Sequence, residues 1–123
     1  GETALYMTHS YVKPHKRFDP KMIDAIANLY VTTGNETGSL VIPVGLAFDE
    51  AYRRRPDMKL HKTFDGSHPD LVGTYLAAAT VVASVYGQTP VGNPYDYFGK
   101  IGKDDLAFLQ KVADDTVKKF YGR

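Results

Sequence analysis

Two short apolar runs without alternation stand out along the chain: Thr3-Ala4-Leu5-Tyr6-Met7-Thr8 and Ser39-Leu40-Val41-Ile42-Pro43-Val44. Unbroken apolar character over so short a run is the pattern of strands covered on both faces, as in a parallel sheet. Between them, Met22, Ile23, Ile26, Ala27 and Tyr30 recur at helical spacing, with Asp19-Pro20 as a start signal and Gly34 and Gly38 bracketing a turn. Strand, helix, strand predicts a parallel pair joined by a right-handed crossover. Pro43 has no N–H to donate, so the second strand ends there or lies at an edge.

Only helical patterns follow. Ala47 to Arg55 predicts a short helix stopped by Pro56, and Pro69 to Tyr86 a long one. A last helix opens at Asp104 and buries Leu106, Leu109, Val112, Ala113, Val117 and Phe120. The segments 9–18 and 87–102 read as loops. Two parallel strands leave open edges and too little sheet to stand alone. The pattern therefore predicts a single partial domain over residues 1–123, the later part of a three-layer α/β domain whose first strands are missing.

Composition changes this picture little. Apolar residues make up 43% and charged residues 24%, a globular balance that excludes a disordered chain. A net charge of +1 gives no field to attract nucleic acid or an acidic membrane surface. The basic run Arg53-Arg54-Arg55 follows Asp49 and Glu50 on a predicted helix and reads as a solvated face rather than a phosphate site. Without cysteine there is no disulfide or thiolate chemistry, and the compartment stays open. Leu71 to Tyr95 carries no charge, yet Thr74, Tyr75, Thr80, Ser84, Gly87, Gln88 and Pro90 interrupt it. The apolar length falls short of the roughly 20 residues of a membrane span.

Chemistry concentrates in Asp65-Gly66-Ser67-His68-Pro69. With Pro69 as the first helical residue, His68 is expected at the N-cap, a position histidine fills poorly although Ser67 stands beside it. That mismatch marks His68 for another task. Asp65, three residues back across a glycine turn, can reach Nδ1 of the ring and orient it, leaving Nε2 for a nucleophile. The competing reading is a structural turn in which Asp65 accepts backbone N–H groups. Of the other histidines, His9 follows the first strand, where α/β folds place functional loops. His15, among Lys13, Lys16 and Arg17, reads as surface. His61, Asp65 and His68 imitate a metal set, but their spacing matches no helical His-x-x-x-His pair, and no metal is expected.

The stretch from Asp65 through Leu71-Val72-Gly73-Thr74-Tyr75-Leu76-Ala77 to Ala78 resembles the last conserved block of the SGNH (GDSL-type) hydrolases, where Asp-x-x-His precedes the C-terminal helix. Val41 to Phe48 and Leu5 to Thr8 are similar to the elements preceding that block in bacterial members. The resemblance implies a flavodoxin-like α/β/α sandwich with a parallel sheet, of which this chain is the C-terminal part. It implies ester hydrolysis without metal or cofactor, with His68 as general base and Asp65 as its orienting acid. The ester substrate is left open, acetylated carbohydrate being one class it allows. The family's Gly-Asp-Ser nucleophile block, its Gly block and its Gly-x-Asn-Asp block are not found. Asp65-Gly66-Ser67 has the wrong order, and Gly34-Asn35-Glu36 does not fit. The chain alone is thus expected to be inactive. The rival expectation is a non-enzymatic α/β interaction module that forms a homodimer, or pairs with a complementing N-terminal segment, through exposed sheet edges.

Overall fold

A computed structural model describes residues 2–123. The element order is β1 (Ala4–Tyr6), α1 (Met22–Thr37), β2 (Leu40–Ile42), α2 (Val44–Arg54), α3 (Leu71–Tyr86) and α4 (Lys103–Tyr121). The protein is a mixed α/β structure, mostly helical, around a two-stranded parallel sheet. Its register pairs Ala4 with Leu40, Leu5 with Val41 and Tyr6 with Ile42.

Neighbouring side chains on a strand point to opposite faces, so Val41 and Ile42 sort the helices between them. Val41 faces α1, where a Cβ on Gly34 would lie 2.5 Å from the valine Cγ2. Ile42 joins the main core with Val44, Ala47, Phe48 and Ala51 of α2, Leu76 and Ala79 of α3, and Leu109, Val112 and Ala113 of α4. The helix pair α3 and α4 forms the broadest packing in this core.

Several boundaries differ from the sequence pattern. Gly34 does not break α1: it lies inside the helix, which runs to Thr37 and ends at Gly38 in the left-handed conformation. Asp19 does not start α1 directly. Its carboxylate accepts the N–H of Lys21 at 2.9 Å in a preceding turn. Helix α2 begins at Val44, directly after Pro43, rather than at Ala47. The N-cap of α3 is Asp70, whose carboxylate accepts the N–H of Leu71 at 2.9 Å. His68 is therefore not a cap: a better capping side chain stands two residues further on and takes the position. Phe120, expected in the core, is only partly buried. No helix among the described residues is long and apolar enough to cross a membrane.

Candidate functional site

Segments 60–62 and 68–70 run antiparallel and are closed by two short bonds. Lys62 donates its N–H to the carbonyl of His68 at 2.7 Å, and Asp70 donates to the carbonyl of Leu60 at 2.7 Å. Asp65, Gly66 and Ser67 form the tip of this hairpin. At Gly66, φ is +63°, a conformation that L side chains seldom adopt, and a Cβ would stand 2.0 Å from the Val12 carbonyl oxygen. Glycine is what lets the tip lie against the segment following β1, where Val12 donates its N–H to the Gly66 carbonyl at 2.9 Å.

The tip brings Asp65 and His68 together. Oδ2 of Asp65 lies 2.5 Å from Nδ1 of His68. Oδ1 accepts the backbone N–H of Ser67 at 2.9 Å and of His68 at 3.2 Å. The turn bonds and the ring bond thus coexist, one carboxylate oxygen serving each. The Ser67 N–H and the His68 ring favour the ionised carboxylate and lower the Asp65 pKa to about 2. An ionised carboxylate can only accept, so Nδ1 carries the hydrogen, and Nε2 is bare whenever the ring is in its neutral form. The His68 side chain is 74% exposed and that of Asp65 23%. Beside the imidazole is a shallow cavity of about 310 Å³, bordered by Thr8, His9, Tyr11, Met22 and Ile26. Among the described residues, no lysine, arginine or carboxylate lines it.

The remaining histidines take different places. His61 is buried and fully used: Tyr52 Oη bonds its Nδ1 at 2.7 Å and Nε2 donates to the Ser10 carbonyl at 2.9 Å. Burial lowers its pKa below the ordinary value; the Ser10 carbonyl opposes the shift and His9 adds to it. Neither of its nitrogens is available to a shared metal with Asp65 and His68. His9, on the loop after β1, donates from Nε2 to the Ser67 carbonyl at 2.7 Å. Sequence reading missed this link, since nothing local ties position 9 to position 67. His15 stacks on Tyr11 with centroids 3.8 Å apart, and its Nδ1 accepts the Arg17 N–H.

The basic run is neutralised at the surface. Arg53 pairs with Asp49 and Glu50 at 2.8 Å, Arg54 with Glu50 at 2.7 Å and Asp115 at 3.0 Å, and Arg55 with Asp105 at 3.1 Å. These pairs leave none of the three guanidiniums of this run unopposed to gather a phosphate.

No protein-family model matches the chain, and no curated protein matches it. The chain is similar to the crystal structure of a DUF4886 family protein from Bacteroides uniformis, with a TM-score of 0.84 and 21% sequence identity over 98% of this chain. The match covers 49% of that protein, so the present chain spans about half its length. At this identity the likeness speaks to the fold alone.

Proposed function

We propose that the chain supplies the acid–base half of a serine ester hydrolase of the SGNH (GDSL) type, within the C-terminal part of a flavodoxin-like sandwich. The observation that carries this reading is the Asp65–His68 pair: a 2.5 Å bond to Nδ1, on an acid already held ionised by two amides. An orienting carboxylate on one ring nitrogen and an open second nitrogen are what acyl transfer asks of a general base. His68 Nε2 takes the proton of a serine hydroxyl as its oxygen bonds to the ester carbonyl carbon. It returns that proton to the departing alkoxide as the ester C–O bond breaks. A water then repeats the sequence on the acyl-enzyme, and the carboxylic acid leaves. Asp65 keeps its charge throughout and stabilises the imidazolium formed in each half.

The nucleophile and the oxyanion donors belong, in this reading, to another segment of the gene product. The half-length match to a solved structure supports it. The uncharged cavity beside His68 suits a neutral ester, acetylated carbohydrate included. Hydrolysis of p-nitrophenyl acetate by the full-length gene product, compared with its His68→Ala variant, tests the proposal. Activity that survives the substitution undiminished rejects it.

A second reading, an interaction module, is favoured by the surface of α3. Its exposed stripe is Thr74, Ala78, Val82, Val85 and Tyr86, with no charge. The solvent faces of α1, α2 and α4 all carry charged residues. The sheet is uncovered in the same one-sided way. Tyr121 donates its hydroxyl to the Val41 carbonyl on the outer edge of β2, whereas β1, among the described residues, pairs only with β2. The outward backbone groups of Ala4 and Tyr6 remain a template for another strand.

A further inference from the structure

We infer that His9 is a positioning residue for the Asp65–His68 pair, acting through the carbonyl of Ser67; this rests on the reading of His68 as a general base. Ser67 is the link between Gly66 and His68, so whatever holds its peptide sets where the imidazole begins. A carbonyl can only accept, hence the hydrogen of His9 is on Nε2 and the 2.7 Å bond fixes its tautomer.

The His9 ring cannot swing away from this contact. It stacks on Phe48 with centroids 4.8 Å apart and planes 12° from parallel, and the His61 ring stands edge-on to it, also at 4.8 Å. Phe48 and His61 are 2% and 3% exposed, so both walls belong to the core. The hairpin tip has little packing of its own: Phe64 is 77% exposed and the His68 side chain 74%. Two consecutive carbonyls tie it to the segment after β1, that of Gly66 to the Val12 amide and that of Ser67 to the His9 ring.

The arrangement sacrifices one polar atom. His9 Nδ1 is buried without a hydrogen-bond partner among the described residues, a situation that costs stability. A phenylalanine would stack on Phe48 without that loss, so packing alone gives no reason for an imidazole here. The donor at Nε2 does.

The test compares His9→Phe, which keeps the stacking ring and loses the donor, with His9→Gln, which keeps an N–H donor of similar reach. Proton NMR of the chain reads the far-downfield hydrogen between His68 Nδ1 and Asp65, and a melting curve reads the fold. We expect His9→Phe to melt at or near the wild-type temperature while the downfield resonance moves upfield or is lost to exchange. His9→Gln should restore it. In the full-length gene product the same His9→Phe change should lower kcat by up to about 100-fold, with KM little changed. A downfield resonance unaltered in His9→Phe, or His9→Gln behaving like His9→Phe, overturns the proposal. If His9→Phe does not fold, His9→Ala takes its place; unfolding of both makes His9 a residue of the fold and also overturns it. The resonance reports the pair whether or not an ester is hydrolysed, so failure of the esterase reading would show separately.

Discussion

The hydroxyl of Tyr52 donates to Nδ1 of His61 across 2.7 Å while accepting the backbone N–H groups of Leu60 and His61 at 3.1 Å each. The two amides can only donate, so the tyrosine's own hydrogen must go to the ring. His61 is thereby locked as the neutral tautomer with its hydrogen on Nε2, facing Ser10. Protonation would set an N–H against the tyrosine O–H.

This lock makes stability depend on pH. The folded pKa of His61 lies below its ordinary 6.5, chiefly through burial. A depressed pKa contributes stability that is present above the unfolded value and lost as pH falls through the folded one. Urea unfolding at a series of pH values should show a decline beginning below about 6.5. NMR titration should find the His61 ring protonating below that value. A His61 titration at or above 6.5 would refute the lock.

Asp65 acts in a lower window. Its pKa of about 2 in the fold compares with 3.8 for the free side chain. The sign is the same: its contribution is complete above about 4 and disappears as pH falls towards about 2. The stability difference between wild type and Asp65→Asn should shrink as pH falls across that interval. A difference independent of pH would mean that the bonds to Ser67 and His68 do not favour the ionised acid.

Gly66→Ala should destabilise the fold by about 1–2 kcal/mol from the left-handed backbone alone. The clash with the Val12 carbonyl, 2.0 Å from the new Cβ, comes in addition. Because Val12 anchors the tip, the Asp65–His68 bond should loosen as well. Denaturant unfolding showing a loss under about 0.5 kcal/mol would contradict the close approach.

In a serine protease triad, replacing the orienting aspartate by asparagine costs about 10⁴-fold in kcat. Asp65→Asn in the full-length gene product should fall in that range on p-nitrophenyl acetate, with the melting temperature at neutral pH only modestly lowered. A loss below tenfold would remove Asp65 from the mechanism.

Replacing Val82 and Val85 by lysine puts two charges on the bare stripe of α3. Sizing and scattering should show wild type self-associating and the double variant monomeric, at similar helicity by circular dichroism. A monodisperse wild-type monomer would count against the interaction-module reading.

The chain itself specifies the parallel pair, its order with the intervening helix, and the apolar stripes of α1 and α4. Each follows from local periodicity, which short-range geometry obeys. Asp65 and His68 are legible for the same reason: three residues and one glycine span their separation. Where local signals compete, the structure decides. Val44 opens α2 directly after Pro43, Gly34 lies inside α1 at a place where Val41 leaves no room for a side chain, and Asp70 displaces His68 from the cap. The contacts that define the site's surroundings join positions far apart in the chain: His9 with Ser67, His61 with Ser10, Tyr121 with Val41. No periodicity encodes such pairs. The first two form where the loop after β1 meets the hairpin beside the core of Phe48, Leu60 and Leu76, and the third where the end of α4 reaches β2; those meetings are decided by tertiary structure alone.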